Sequence, residues 1–204
     1  MERFTKLSAI ACPLALENID TDQLIPARFM SRARTAGYGQ FLLHDQRFGQ
    51  NGIAKDFILD HPAYHGAKIM VARRNFGTGS SREAAVYALW DFGIRCVIAP
   101  SFGDIFASNA VKNGLLPAQV SEEDADQLLA MLADASAPMI MVDLESLRIT
   151  WGNQHIPFAI DPVRRMQLLN GWDDLDLTLQ HQAAIRNYRE RRASDQAWAF
   201  PAIN

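Results

Sequence analysis

Alternating apolar and polar stretches in the middle of the chain predict strands and helices in turn. Residues 68–72 form a short run of high β-propensity, and residues 82–92 carry apolar side chains at helical spacing. Residues 94–99 are mostly apolar, as in a buried strand, and residues 104–113 suit a second helix that Gly114 closes. Strands that alternate with helices in this way indicate an α/β fold.

Further elements flank this region and add β-structure to it. We expect a strand over residues 4–11, a helix capped by Ser121, a strand over residues 139–142, a hairpin of residues 147–151 with 155–160, a helix from Asp161 and Pro162 to Gly171, and a polar helix over residues 181–193. Residues 31–60 show no sustained period and contain four glycines. A loop of that length in a compact domain is usually functional or mobile, and we predict a mobile loop over about residues 30–60.

The composition is that of an ordinary globular chain, which limits the classes of function. The 204 residues are 49% hydrophobic and 21% charged, so the chain can bury a core and disorder is not expected. The net charge of −3 and the lack of a lysine or arginine block favour neither nucleic acid nor a membrane as partner. No hydrophobic run approaches the roughly 18 residues of a membrane span. The N-terminus has no signal-peptide core, so we expect the protein to be located in the cytoplasm. From the length we expect one domain over residues 1–204, with a polar helix and tail over about residues 181–204.

The residues that could bind a metal are few and scattered. Cys12 and Cys96 are the only cysteines, and they lie far apart in the sequence. They argue against a disulfide framework, a zinc finger and an iron–sulfur cluster held by this chain alone. The five histidines lack zinc-ligand spacing. We therefore expect no metal site on this chain.

Residues 75–83, Asn-Phe-Gly-Thr-Gly-Ser-Ser-Arg-Glu, are the strongest candidate for chemistry. They follow a predicted strand and open a predicted helix. Gly77 and Gly79 allow positive φ and a close approach of the backbone to a ligand. The Ser-Ser-Arg triplet would stand at the helix N-terminus, where free N–H groups and the guanidinium favour a carboxylate or a phosphate.

Other interpretations of these residues stay open. Ser80 and Glu83 also match a capping box, in which both side chains only satisfy N–H groups at the helix start. Nucleotide binding is a weaker alternative, because the loop lacks the lysine of a Walker A motif. The segment Asp20-Thr21-Asp22 could organise a metal or an anion, although such residues more often form turns.

Five blocks of sequence together resemble the small subunits of bacterial 3-isopropylmalate dehydratases, which belong to the aconitase superfamily. The blocks are residues 18–23 (Asn-Ile-Asp-Thr-Asp-Gln), 75–83, 99–106 (Ala-Pro-Ser-Phe-Gly-Asp-Ile-Phe), 113–117 (Asn-Gly-Leu-Leu-Pro) and 169–179. They occur in the family's order, and the resemblance runs from about residue 3 to about residue 190. It is therefore far more specific than any single motif.

The resemblance implies a three-layer β/β/α swivelling domain like the aconitase C-terminal domain. It implies a large-subunit partner that holds a four-iron, four-sulfur cluster. It also implies the interconversion of 2-isopropylmalate and 3-isopropylmalate, by dehydration and rehydration, in leucine biosynthesis. Ser80 would be the catalytic base, acting as an alkoxide, and residues 29–38 would cover the substrate side chain. The implied substrate-binding residues are Asp20, Thr21, Asp22, Asn75, Gly77, Gly79, Ser81 and Arg82, with Ser81 and Arg82 on a substrate carboxylate.

A serine base and an anion clamp are only part of what a dehydratase needs. The departing hydroxide also requires a Lewis acid, and this chain has too few cysteines to hold a cluster. The sequence therefore predicts half of an active site, completed by another subunit.

Two positions depart from the family's usual serine loop, Gly-Cys-Gly-Ser-Ser-Arg-Glu-His. Thr78 stands in place of the cysteine and Ala84 in place of the histidine. A related alkylmalate or methylmalate is therefore an alternative substrate. Alternatives of other classes are a self-contained phosphate-binding α/β enzyme and a non-catalytic interaction domain in which Ser80 only caps a helix.

Overall fold

The structure, a computed structural model, describes residues 1–133 and 139–200. Its strands within these ranges are β1 (Lys6–Leu14), β2 (Ile69–Ala72), β3 (Cys96–Ala99), β4 (Leu116–Gln119), β5 (Met139–Asp143), β6 (Arg148–Trp151) and β7 (Gln154–Pro157). Its α-helices are α1 (Thr21–Leu24), α2 (His44–Arg47), α3 (Glu83–Phe92), α4 (Asp104–Lys112), α5 (Glu122–Ala133), α6 (Pro162–Asn170), α7 (Asp174–Leu179) and α8 (Gln182–Asp195). None of the helices in the described ranges is long and apolar enough to cross a membrane.

The strands form one mixed sheet in the order β4-β3-β2-β1-β5-β6-β7. β1 joins its two halves, because the end of β1 pairs in parallel with β2 (Ala11 opposite Ile69) and its start pairs antiparallel with β5 (Lys6 opposite Asp143). β2, β3 and β4 are parallel, with α3 and α4 as crossovers, whereas β5, β6 and β7 form an antiparallel meander. This architecture confirms the predicted α/β class with added β-structure.

Alternate side chains of the parallel strands enter two different cores. In β2, Met70 and Ala72 pack in a cluster with α3 and the loops around it, whereas Ile69 and Val71 pack in a cluster with α5 and the antiparallel strands. All four side chains are fully buried. Burial on both faces explains why β2 and β3 are apolar without alternation.

The elements predicted from hydrophobic periodicity are present, and four more accompany them: the single-turn helices α1 and α2, the strand β4 and the helix α7. β4 contains Pro117, which lacks the N–H that a central strand needs. It is tolerated because β4 lies at the edge of the sheet. α7 is short and begins with a capping box formed by Asp173 and Asp176.

The predicted loop over about residues 30–60 consists of short helical turns rather than open coil. Its buried side chains are Tyr38, Leu42, Leu43, Arg47 and Leu59. Arg47 is only 8% exposed, and its charge is paired with Asp60, with Nη2 of Arg47 2.6 Å from Oδ1 of Asp60. Residues 31–36 and 50–56 are exposed on either side of this anchor. The mobility of the segment stays a prediction.

The chain divides into two compact units, Met1–Gly171 and the residues from Trp172 onward. The first unit contains the whole sheet and α1 to α6. The second contains α7, α8 and a 3-10 turn at Ala197–Ala199, and α8 has no buried side chain. The helix of this second unit confirms the polar helix predicted over residues 181–193, while the expectation of one domain over the full chain stays a prediction.

Candidate active site

Three loops meet at the carboxyl ends of the parallel strands. They contain residues 18–22 after β1, residues 75–82 after β2 (the serine loop) and residues 101–103 after β3. Parallel strands bring their carboxyl ends to one edge of a sheet, where ligand sites of α/β proteins form. An isolated bridge between Asp20 and Thr78 places the two predicted segments side by side.

Backbone hydrogen bonds join the first loop to the serine loop. The N–H of Gly77 donates to the carbonyl of Ile19 at 2.7 Å, and the N–H of Thr21 donates to the carbonyl of Thr78 at 2.9 Å. The serine loop therefore takes its shape from residues that lie far away in the sequence.

Asn75 links all three loops through its side chain and its backbone. Its Nδ2 donates to Oδ1 of Asn18 at 2.7 Å, and its Oδ1 accepts from Oγ of Ser101 at 3.2 Å. Asn75 and Asn18 both adopt positive φ, 60° and 56°, a conformation that asparagine tolerates better than most residues. Since the amide of Asn75 is already engaged on both sides, its geometry favours a role in shaping the loops. Direct contact with substrate stays a prediction for this residue.

The two glycines of the serine loop face different surroundings. Gly77 has a φ of 71°, and a Cβ there would overlap the ring of Phe106. The space beside Gly77 is thus filled by protein. Gly79, with a φ of 97°, would bring a Cβ to 3.5 Å from Cβ of Asp20, which is ordinary contact. Gly79 is required by its backbone conformation rather than by a lack of space.

Ser80 combines a fixed backbone with an exposed side chain. Its carbonyl accepts from the N–H of Arg82 at 2.8 Å and from Oγ1 of Thr21 at 3.0 Å. Thr21 is 2% exposed, so this second bond is made from within the protein. Ser80 and Ser81 are both exposed, and the hydroxyl of Ser80 makes no hydrogen bond to any described residue. It is therefore available to a ligand.

The capping-box alternative for Ser80 and Glu83 is wrong. α3 begins at Glu83, and its N-cap is Arg82, which makes no side-chain capping bond. Glu83 instead accepts a hydrogen bond from Nδ2 of Asn113 at 2.9 Å. The pattern fails because the carbonyl of Ser80 is bonded to Thr21 and the helix starts later, which leaves Ser80 two residues before the capping position.

Arg82 is held by a carboxylate of the neighbouring loop. Its Nη1 donates to Oδ1 of Asp22 in an ion pair, and its side chain is 19% exposed. Asp20 has a different task, since its Oδ1 caps α1 by accepting from the N–H of Gln23 at 2.7 Å. The turn-forming interpretation is thus right for Asp20, while Asp22 orients the guanidinium.

The described residues do not fit an iron–sulfur cluster. No group of three or more histidine, cysteine, aspartate or glutamate side chains in these ranges is arranged to hold a metal ion. Cys12 and Cys96 are both fully buried. Burial raises the pKa of Cys12 to about 12 and raises that of Cys96 as well, so neither thiol is poised to become a thiolate ligand.

Two residues outside the predicted set also shape the loops. Ser101 bonds Asn75 from the loop after β3, with the N–H of Asn75 donating to its Oγ at 2.8 Å. Phe106 of α4 fills the space beside Gly77. Their signal in the sequence is the block over residues 99–106, because it follows a parallel strand and has to end at the same edge.

Known proteins match this chain along almost its whole length. Residues 1–123 match the family model of the aconitase C-terminal domain. The 3-isopropylmalate dehydratase small subunit of Rhodospirillum centenum is 46% identical over 202 residues, covering 98% of this chain and 100% of that protein. The protein of the same name from Granulibacter bethesdensis is also 46% identical, covering 100% of this chain and 98% of the relative.

A solved structure supports the fold separately. A 3-isopropylmalate dehydratase of Methanocaldococcus jannaschii aligns with a TM-score of 0.63 at 24% identity, over 89% of this chain and 99% of that one. With the family match, this confirms the expected likeness to the aconitase C-terminal domain. The chain belongs to the family of 3-isopropylmalate dehydratase small subunits, within the aconitase superfamily.

Proposed function

We propose that this chain is the small subunit of a heteromeric hydro-lyase that interconverts 2-isopropylmalate and 3-isopropylmalate in leucine biosynthesis. The relatives that carry this name are about as long as this chain and align with nearly all of it. The observation that carries the proposal is the exposed hydroxyl of Ser80, on a loop that Thr21 holds and two residues before Arg82.

The residues of this chain suit the proton-transfer half of the reaction. Dehydration removes a weakly acidic proton from the carbon beside a carboxylate, and Ser80 Oγ is the proposed base. A serine hydroxyl acts as a base only as an alkoxide, and a nearby cation such as Arg82 favours that charged form. Arg82 and Ser81 would hold the substrate carboxylate, which keeps the reacting carbon within reach of Ser80.

The rest of the site is proposed to come from a large subunit. That subunit would hold the four-iron, four-sulfur cluster, which supplies the Lewis acid for the departing hydroxide. The active site would then form between the two chains, in the cytoplasm, where we place the enzyme because its relatives are bacterial biosynthetic proteins.

The substrate could instead be a related alkylmalate or methylmalate. The observation that favours this candidate is Ala84, which is 8% exposed in the first turn of α3 and provides no polar group behind the serine loop. Comparing kcat/KM for 3-isopropylmalate and for a methylmalate in the assembled enzyme separates the two. A preference for the methylmalate would replace the isopropylmalate assignment and keep the reaction class.

Reconstitution with a large subunit tests the proposal directly. The purified chain alone should be inactive and should take up no cluster from iron and sulfide, because its thiols are buried. Mixing with a cluster-loaded large subunit should give turnover. A chain that is active alone, or that stays inactive with the large subunit, would contradict the assignment.

Ser80→Ala separates the base from a structural serine. In the assembled enzyme it should lower kcat by about 10²–10⁴-fold, the usual range for a positioned proton-transfer group. The melting temperature should hardly change, because the Ser80 hydroxyl makes no bond to a described residue.

Ser121→Ala is the matched control. Ser121 does cap a helix, since its Oγ accepts from the N–H of Asp124 at 3.0 Å. Its loss should cost about 0.5–2 kcal/mol of stability and leave kcat unchanged. If Ser80→Ala lowers stability like Ser121→Ala and keeps normal turnover, Ser80 is not the base.

A further inference from the structure

A recess of about 310 Å³ lies at the amino ends of the parallel strands. The carboxyl ends of these strands carry the serine loop, so the recess is at the opposite edge of the sheet from Ser80. Its charged lining consists of Glu2, Arg3, Lys6, Lys68 and Arg95, and Trp90 is one of its aromatic residues. We call this place the amino-edge recess.

Two of its cations stand side by side on adjacent strands. Lys68 directly precedes β2, and Arg95 directly precedes β3. The N–H of Arg95 donates to the carbonyl of Lys68 at 2.8 Å, which fixes their spacing through the backbone. Because both residues line the same recess, their two like charges favour an anion that lies between or beside them.

Arg95 is held rigidly. Its guanidinium stacks on Trp90, with Cζ 3.6 Å from the ring centroid, and its Nη1 donates to the carbonyls of Trp90 and Ile94 at 2.8 and 2.9 Å. Its Nε and Nη2 have no hydrogen-bond partner among the described residues. A guanidinium fixed in this way can bind an oxyanion with little further loss of side-chain entropy.

The N-terminal segment forms a second wall, which is also anchored. The ammonium group of Met1 donates to the carbonyl of Gly171 at 2.9 Å, and Nε of Arg3 donates to the carbonyl of Asn170 at 3.3 Å. Both bonds tie this wall to the end of α6. The recess is therefore built between elements that are held in place.

The charges around the recess are not balanced. Lys6 is neutralised by Asp143, with Nζ 3.1 Å from Oδ2. Arg3, Lys68 and Arg95 form no ion pair within 4 Å of a carboxylate of the described residues, and Glu2 is the only acid in the lining. Glu2 and Asp91 attract Arg95 from a longer distance, which leaves the lining with more positive than negative groups. A bound oxyanion with two or more negative charges would relieve this excess of positive charge.

We propose that the amino-edge recess binds a small multivalent oxyanion, with Lys68 and Arg95 as its principal ligands. Phosphates and polycarboxylates share this chemistry. The site is separate from the serine loop, so its occupant is not the molecule that Ser80 would deprotonate.

Calorimetric titration of the purified full chain tests the proposal, with pyrophosphate and citrate as probes at constant ionic strength. At least one probe should bind, and Lys68→Glu should weaken it by about tenfold or more, the effect expected for losing one charged hydrogen bond. The tighter probe assigns the phosphate or the carboxylate class. Lys68 is exposed, so the substitution should leave the melting temperature unchanged.

Two controls distinguish a site from a general effect of charge. Arg148→Glu makes the same change in charge at an exposed position of β6, outside the recess, and should leave the affinity within about twofold. Arg82→Lys, in the serine loop, should leave it unchanged as well. Binding of neither probe would overturn the proposal, as would equal weakening by Lys68→Glu and Arg148→Glu, or loss of binding in Arg82→Lys.

Discussion

Arg82 can bond to the neighbouring loop and to the proposed ligand at the same time. Its Nη1 is engaged by Asp22, which fixes the plane of the guanidinium before any substrate arrives. Arginine has five N–H donors in a rigid fork, so it can keep this bond and still present others to a carboxylate. We therefore propose that Asp22 affects substrate binding through Arg82 rather than by direct contact.

Arg82→Lys should raise KM in the assembled enzyme by about tenfold or more, because lysine keeps the charge and loses the fork. The effect on kcat should be smaller, since Ser80 is untouched. Steady-state kinetics measure both. Arg148→Lys is the control at an exposed site and should change neither. A normal KM in Arg82→Lys would remove Arg82 from the carboxylate site.

Thr21 is the residue that positions Ser80. Thr21→Val keeps the buried volume and removes the hydroxyl that donates to the carbonyl of Ser80, which should cost about 1 kcal/mol of stability. It should also lower kcat with less effect on KM, because the base shifts while Arg82 stays paired. Thr21→Ser keeps the bond and should restore kcat. Equal turnover in the valine and serine variants would show that the bond does not place Ser80.

Some local sequence patterns at the site fit more than one structure. Ser80 and Glu83 fit both a capping box and an anion site, and the local sequence cannot choose between them. The choice is made by Thr21, whose bond to Ser80 spans 59 positions of the chain. In the same way, the glycine at position 77 indicates a close approach, but only the fold reveals that Phe106 is the group that approaches.

Among the elements, the segment over residues 30–60 is divided by one buried ion pair. Arg47 bonds Asp60 and also donates from Nη1 to the carbonyl of Leu42 at 3.2 Å. The stretches over residues 31–36 and 50–56 are exposed, and their ties lie at the surface. Arg34 pairs with Asp91, and Nζ of Lys55 donates to the carbonyl of Asp45 at 2.7 Å, but Arg34 and Lys55 are both exposed, unlike Arg47. We therefore expect movement of the segment to be confined to these two stretches.

Limited trypsin digestion should report this division. Cuts are expected after Arg32, Arg34 and Lys55, which are exposed, and not after Arg47. Mass spectrometry of the first fragments identifies them. Cleavage after Arg47 at the rate seen after Arg32 would show that the ion pair does not hold the segment.

Asp60→Asn should open the protected site. Cleavage after Arg47 should become about tenfold faster, since a hydrogen bond to a charged group is worth about 1.5–3 kcal/mol. Asp56→Asn removes an exposed carboxylate nearby and should leave the pattern unchanged.

Local periodicity predicts most elements because apolar side chains of the helices and strands repeat at the spacing of each structure. It misses β4, since the run Leu116–Gln119 is short and contains a proline, and only its place at the sheet edge makes that acceptable. The meeting of the loops after β1, β2 and β3 follows from the parallel order of these strands. The sequence of any single strand does not predict this order.

At the level of the whole molecule, the least predictable feature is that the two halves of β1 pair with different strands. Nothing in residues 6–14 indicates that the first half pairs with β5 and the second half with β2. The two partners approach from opposite sides of the strand. β2 supplies side chains to both cores, whereas the buried side chains of β5, Ile140 and Val142, enter only the core that contains α5. Loss of β1 would therefore separate the parallel half of the sheet, which carries the candidate site, from the antiparallel half.

Because β1 pairs with both β2 and β5, its two halves can pair only at different times during synthesis on the ribosome. Residues 11–14 can pair as soon as β2 has emerged, but Lys6 has to wait for Asp143. At about 5–20 residues per second, that wait is on the order of ten seconds. During it, half of the first strand presents an open edge to every other nascent chain nearby, so this protein should depend on chaperones early in its life and far less once β5 has been made.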